Sequence, residues 1–228
     1  MPDGCVDVFV TADGTVMVSG PAATFYDLCA GTECVLAGVR LRPGAAAAVL
    51  GHPASELRDD RVPIDSVFGV VGSRLAENLL ATTTSGQRVA LLADTLADHF
   101  AAVEPPVDQP VVQAVDLLRT RPDWPVSGLA AAVGLSERQL RRRFDAAAGY
   151  GPKRLGRIFR FQRLLDLIHA VDGRPRWADL ATRAGYADQS HMINECVALA
   201  GAPPTVLPAG AGESHVSVSS NTDRAGSR

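Results

Sequence analysis

An Ala-x-x-x-Gly pattern occurs twice in the second half of this chain and constrains its fold more than any other feature. The first copy is Ala130–Gly134 and the second, about 51 residues later, is Ala181–Gly185. A small residue lets two helices cross closely, and glycine tolerates the positive φ of a tight turn. Each copy follows a short apolar stretch and precedes a new helical pattern, so the sequence predicts two helix pairs joined by tight turns.

A residue that caps helices follows each glycine. Ser136 lies two residues after Gly134 and Asp188 lies three after Gly185, which predicts a second turn one residue longer. Such side chains accept a hydrogen bond from a free N–H in the first helical turn. A basic helical pattern over 151–168 separates the copies. We therefore expect two helix-turn-helix lobes on one long connecting helix, in preference to an ordinary helical bundle.

A proline-rich segment, Glu104–Pro110, divides the chain into halves of opposite charge. Residues 1–110 hold 6 Lys/Arg and 14 Asp/Glu, whereas residues 111–207 hold 14 and 9. This asymmetry predicts two modules, of which the basic one faces a polyanion. We expect a β-rich sensor or interaction domain with C-terminal helices at 1–104, a linker at 105–110, an all-α domain at 111–207 and a disordered tail at 208–228.

The first module has strand patterns followed by helical ones, so the expected fold class is α+β. Strands are predicted over Cys5–Val10, Val16–Val18 and Glu33–Arg42, because these runs alternate or are rich in β-branched residues. A short helix is predicted at Ala45–Leu50. Longer helices are predicted over 72–82 and 87–103, where apolar residues recur at helical spacing.

The helix that begins at Ser136 has an apolar side and a basic side. Leu140 and Phe144 are four residues apart and are expected to face the core. Arg138 and Arg142 then point away from it, and two further polar residues, Gln139 and Arg141, flank them. Arginine donates two hydrogen bonds to guanine, and glutamine pairs similarly with adenine. This face therefore predicts contacts to DNA bases, although an arginine run without such a context is more often a solvated surface.

The basic stretch from the second helix into the connecting helix predicts contacts to phosphates. Residues 138–163 contain nine basic residues and one acidic residue. We expect phosphate contacts from Lys153, Arg154 and Arg157, and hence strongly salt-dependent binding. The alternative is that two or three of these cations cap helices or pair with Asp145 and Asp166.

Residues 111–207 resemble the DNA-binding domain of AraC-type (AraC/XylS) bacterial transcription regulators. The resemblance rests on the run from Leu129 to Phe144, on Gly149–Arg154 and on Ala184–His191. It implies a sequence-specific regulator that reads adjacent major-groove segments with two recognition helices about one duplex turn apart. The implied base contacts are Arg138, Arg141, Arg142, Gln189, Ser190 and Asn194. The implied phosphate contacts lie near the helix N-termini, where Ser136, Arg143 and His191 are the candidates.

One segment departs from the family pattern. Where the family has a large aromatic residue followed by basic residues, this chain has Cys196-Val-Ala198. A smaller core residue leaves a void that costs about 2–4 kcal/mol if nothing fills it, and the missing cations remove phosphate anchors. We therefore expect the second lobe to bind DNA more weakly than the first.

The first module resembles the small β-rich sensor domains of one AraC-type subgroup, through Pro2–Asp7 and Gly38–Gly44. More sequence usually precedes the first of these motifs in the family. We therefore expect either that the barrel has lost strands or that the protein starts upstream. An effector in this domain and a homodimer are the partners that this resemblance implies besides double-stranded DNA.

No catalytic site, metal or cofactor is predicted. Cys29 and Cys34 lack the second pair of ligands that zinc requires, and no glycine-rich phosphate loop is present. Two alternatives to the regulator stay open: a helical module that has drifted to binding proteins, and an alkyl-damage response protein that reacts through Cys5. No apolar run reaches the length of a membrane span and no secretory signal is evident, so a cytoplasmic protein is expected.

The expected asymmetry between the lobes predicts unequal effects of two substitutions. Arg142→Ala should weaken binding to a selected DNA site more than Gln189→Ala, because only the first removes a charged base contact. Fluorescence anisotropy on one duplex under one salt condition compares the two. An equal or larger loss at Gln189 contradicts the asymmetry.

Overall fold

A computed structural model describes residues 1–11, 13–25, 35–103, 107–171 and 174–207. The chain begins with a four-stranded antiparallel sheet whose strand order is β3-β1-β2-β4. The strands are β1 (Val6–Thr11), β2 (Val16–Ser19), β3 (Val35–Leu41) and β4 (Arg61–Pro63). The first three confirm the predicted strands, except that 33 and 34 lie outside the described residues. The fourth was not predicted, because three residues are too few to show an alternating pattern.

Helices of 4 to 19 residues pack on this sheet and complete its core. They are α1 (Ala46–Leu50), a 3-10 helix (Ala54–Leu57), α2 (Ile64–Phe68), α3 (Val70–Leu80) and α4 (Ser85–Val103). Alternate strand residues such as Val8 and Val18 are fully buried against Leu50, Ile64 and Leu92 from the helices. The predicted helices at 45–50, 72–82 and 87–103 are confirmed, whereas α2 was not predicted.

Six helices follow in the part of the chain that the structure describes, and together they form a second core. They are α5 (Gln109–Thr120), α6 (Val126–Ala132), α7 (Glu137–Ala148), α8 (Pro152–His169), α9 (Trp177–Ala184) and α10 (Gln189–Ala200). The long helix α8 lies at the centre, in contact with α5, α7, α9 and α10. Its Phe161 and Leu164 are fully buried beside Phe144 and Leu140 of α7. The predicted α+β class is thereby confirmed.

Helix α5 begins inside the segment predicted to be a linker. The Asp108 side chain accepts a hydrogen bond from Val111 N at 3.2 Å, and Pro110 lies in the first turn. A proline is tolerated there because the first N–H groups of a helix have no partner within it. The last proline of the segment therefore starts a helix where we expected an irregular linker. Residues 104–106 and the predicted tail at 208–228 lie outside the described residues.

Both predicted turns have the expected geometry. Gly134 and Gly185 have φ of 69° and 92°, in the left-handed region that favours glycine. Ser136 caps α7, and Asp188 caps α10 through a 2.7 Å hydrogen bond from His191 N. Among the described residues, no helix is both long and apolar enough to cross a membrane.

Candidate nucleic-acid interface

Helix α7 presents arginines on the side opposite its buried stripe. Leu140 and Phe144 are fully buried, whereas Arg138 and Arg142 are exposed. Within the described residues, neither arginine has an ion pair or a hydrogen-bond partner. Arg141 is exposed as well and pairs with Glu137 at 2.9 Å, one turn earlier on the helix. Such exposed pairs are weak, so a phosphate or a base competes for Arg141 at low cost.

Gln139 has a different role from the one predicted. Its side-chain oxygen accepts hydrogen bonds from the backbone N–H and the hydroxyl of Ser136, at 3.0 and 2.9 Å. The Ser136 hydroxyl in turn accepts one from Gln139 N, which completes a capping box. Gln139 therefore stabilises the start of the helix, and its oxygen is unavailable to a base. Ser136 remains at the exposed N-terminus of α7, where phosphates bind readily.

Two of the predicted phosphate contacts are instead directed into the protein. Arg143 forms a bidentate pair with Asp108, at 2.6 and 2.7 Å, and this hydrogen bonding raises the pKa of its guanidinium. Arg154 is half-buried and donates to the carbonyl oxygen of Ala23 at 2.7 Å. Asp108 and Ala23 thus bind Nε and Nη2 of Arg143 and Nη2 of Arg154, which leaves these two side chains less available to phosphates than the sequence predicts.

Helix α10 presents neutral polar side chains. Gln189, Ser190 and Asn194 are exposed, and Ser190 and Asn194 lie on one face because they are four residues apart. His191 is half-buried. Its ring lies edge-on to Tyr186 at 5.4 Å, and its Nδ1 accepts a hydrogen bond from Ala187 N at 3.4 Å. No lysine or arginine occurs in α10, so this helix presents neutral hydrogen-bonding side chains and no permanently cationic one.

A groove of about 740 Å³ brings several predicted residues together. Lys153 and Arg157 of α8 line one wall, and His191 and Asn194 of α10 line another. The third wall is the loop before α6, residues 122–126, which includes Trp124. This loop was not predicted as part of the site, because nothing in its sequence marks it as basic. The groove places two predicted phosphate contacts, Lys153 and Arg157, beside α10.

Comparisons with known proteins agree with this arrangement. A family model described as a helix-turn-helix domain matches residues 129–208, the segment that runs from α6 through α10. A second family model, described as a domain of unknown function (DUF6597), matches residues 1–63. Residues 129–208 therefore form a helix-turn-helix domain, the class of domain through which transcription regulators bind DNA.

The other comparisons add the following. The chain has a structural likeness to the crystal structure of apo ToxT K231A from Vibrio cholerae strain SCE256. The two chains are 12% identical, the likeness covers 89% of this chain and 84% of that chain, and the TM-score is 0.44. None of the curated protein sequences matches this chain.

A buried carboxylate that no sequence pattern singled out joins α10 to the connecting helix α8. Glu195 of α10 is 4% exposed and accepts hydrogen bonds from two arginines of α8. Arg157 Nε lies 2.6 Å from its Oε1, and Arg160 contributes three contacts of 2.8 to 3.0 Å. The Arg160 guanidinium also lies 4.8 Å above the Tyr186 ring. Arg157 was predicted to contact phosphate, but in the structure its Nε is bound to Glu195.

The cysteines of the regulator are poorly suited to chemistry. Cys5 lies in a partly buried position, and burial together with Asp3 raises the pKa of its thiol far above the usual value. The thiol is therefore protonated at neutral pH, which argues against the alternative of alkyl transfer to Cys5. Burial raises the pKa of Cys196 to about 11. Across the described ranges, no three side chains are grouped to hold a metal ion, and Cys29 and Cys34 lie outside those ranges.

The Glu195 cluster predicts a large difference between two similar substitutions. Glu195→Gln should lower the free energy of unfolding by about 3–5 kcal/mol, because it leaves two partly buried arginines without their counter-charge. Glu137→Gln should lower it by less than about 1 kcal/mol, because that glutamate also pairs with an arginine but is exposed. Urea unfolding followed by circular dichroism measures both. Similar losses in the free energy of unfolding for the two variants contradict a stabilising role of the Glu195 cluster.

Proposed function

We propose that this regulator reads two adjacent major-groove segments, with α7 as its main recognition helix and α10 as its second. The observation that carries the proposal is the pair of exposed arginines, Arg138 and Arg142, on the second helix of a helix-turn-helix. Arginine forms bidentate hydrogen bonds to guanine O6 and N7, and a helix of this size fits the major groove. The geometry leaves the donors of both side chains available for such bonds.

The proposed contact set is smaller than the one predicted from the sequence. Base contacts come from Arg138, Arg141 and Arg142 in the first lobe and from Gln189, Ser190 and Asn194 in the second. Phosphate contacts come from Lys153, from His191 and from the N-terminus of α7 at Ser136. Arg157 lines the same groove and offers its outer nitrogens, although its Nε is held by Glu195.

The first lobe supplies most of the affinity. Counterion release upon phosphate and base contact depends on cations, and those near DNA lie on α7 and at the start of α8. The second lobe supplies neutral hydrogen-bonding groups, which discriminate between bases but add little long-range attraction. This division supports the expected asymmetry between the lobes.

The remaining parts of the chain have supporting roles in this proposal. Residues 1–104 form a sensor or interaction domain, and the DNA-binding domain runs from the start of α5, capped by Asp108, to residue 207. A small-molecule effector and a second copy of the chain are the proposed partners of the first domain. The regulator acts in the bacterial cytoplasm, on the chromosome, and no catalytic step is involved.

Neighbouring arginines of α7 provide a matched test. Arg138→Ala should weaken binding to a selected duplex by about 5- to 150-fold and relax the preference at one base pair, since a bidentate base contact is worth about 1–3 kcal/mol. Arg143→Ala should leave the base preference unchanged, because Arg143 is paired with Asp108. Anisotropy titrations against a set of single-base variants of the site measure both effects.

A salt series separates this function from protein binding by a drifted module. Wild-type affinity should fall steeply and linearly on a log–log plot against salt, and Lys153→Gln should reduce the slope by about one. A flat slope together with weak, sequence-independent binding contradicts the proposed function.

A further inference from the structure

The first domain contacts the C-terminal end of α7. Arg58, which follows the 3-10 helix, donates from Nε to the carbonyl oxygen of Gly149, the residue that ends α7. Its Nη2 lies 2.6 Å from the carboxylate of Asp145 in the last turn. The last carbonyl groups of a helix have no partner within it, and a cation there is also favoured by the helix dipole. Arg58 therefore acts as a cap that comes from another domain.

The same domain also contacts the C-terminal end of α10. The backbone N–H of Phe25 donates to the carbonyl oxygen of Leu199 at 2.8 Å. Leu199 lies in the last turn of α10, where carbonyls lack helical partners. One domain thus caps the last turns of both recognition helices, at the opposite ends from Arg138 and Gln189.

Residues 21–25, which end at Phe25, are also bound to the DNA-binding domain. We call them the bridging segment. Tyr150 donates its hydroxyl to Ala22 O at 3.0 Å, and Arg154 donates to Ala23 O at 2.7 Å. Burial raises the pKa of the Tyr150 hydroxyl well above its usual value, so this group stays a donor. Consecutive carbonyls of the bridging segment are therefore bound to the turn after α7 and to the start of α8.

The bridging segment is held equally firmly on its own side. The carboxylate of Asp59 accepts a hydrogen bond from Ala23 N, and Asp59 N donates to Pro21 O at 3.2 Å. Asp59 has a φ of 59°, an unfavourable conformation for a residue other than glycine. Gly149 is equally constrained, because a Cβ on it would overlap the Pro21 ring. The contact is thus a close fit between backbones.

We propose that the first domain sets the relative orientation of the two recognition helices by capping the C-terminal end of each, through Arg58 on α7 and the bridging segment on α10. The inference rests on the proposed function, because orientation matters only if both helices enter DNA together. Any partner that displaces the bridging segment changes the relative orientation of α7 and α10 without touching a residue that contacts DNA. Regulation of binding by the first domain follows from this arrangement.

The test is the ability of the full chain to discriminate the spacing between the two DNA segments. A duplex selected from a random pool is compared with the same duplex carrying one inserted base pair between the recognised segments. The insertion rotates the second segment by about 35° and moves it by about 3.4 Å, which a rigid reader does not tolerate. Wild-type protein should bind the selected duplex at least tenfold more tightly.

Arg58→Ala and Tyr150→Phe should each lower, at least threefold, the ratio of the affinity for the selected duplex to that for the duplex with the insertion. The salt slope should stay unchanged, because neither residue contacts DNA. The matched control is Arg74→Ala, an exposed arginine of α3 in the same domain, which should keep the wild-type ratio. Circular dichroism verifies folding, and Tyr150→Phe decides the matter if Arg58→Ala does not fold. Ratios within twofold of wild type in the folded variants overturn the inference alone. A wild-type protein that selects no site overturns the proposed function and this inference with it.

Discussion

The arrangement of helices in the DNA-binding domain depends on one buried carboxylate and the two arginines that bind it. Glu195 lies almost fully buried in α10, and Arg157 and Arg160 approach it from successive turns of α8. A buried charge is costly unless it is paired and hydrogen-bonded, so moving α10 away from Arg157 and Arg160 is unfavourable. The cluster therefore holds α10 on the connecting helix, and with it the exposed positions Ser190 and Asn194.

Positive charge on this protein is divided between holding the fold and facing DNA. Of the nine basic residues over 138–163, five are bound to acceptors inside the protein: Arg141, Arg143, Arg154, Arg157 and Arg160. The density of cations in the sequence therefore overstates the number of cations available to phosphates. Five exceeds the two or three for which structural roles were expected, and Asp145, one of the acceptors expected for them, pairs with Arg58 instead.

Local signals made much of the fold predictable. The glycines at 134 and 185, the caps Ser136 and Asp188, and the amphipathic pattern around Leu140 and Phe144 all act within a few residues. The role of Gln139 was predictable too, because Ser136-Glu-Arg-Gln139 is a capping-box pattern. It was missed because a glutamine on a recognition helix also suits adenine.

Ion pairs between residues far apart in the chain could not be predicted from the sequence. Arg143 finds Asp108 across 35 residues, and Arg58 finds Asp145 across 87. Periodicity specifies which face of a helix is exposed, but it does not specify which of many acidic residues lies opposite a given arginine. The same limit applies to Arg154, whose partner is a backbone carbonyl that no side-chain pattern identifies.

The central claim is that two recognition helices enter the same face of one duplex. Protection of guanine N7 from methylation, mapped over a selected site with the full chain bound, tests it most directly. We expect two groups of protected positions, centred about ten base pairs apart on one face of the helix, with the stronger protection beneath α7. A single protected group, or two groups on opposite faces of the duplex, contradicts it.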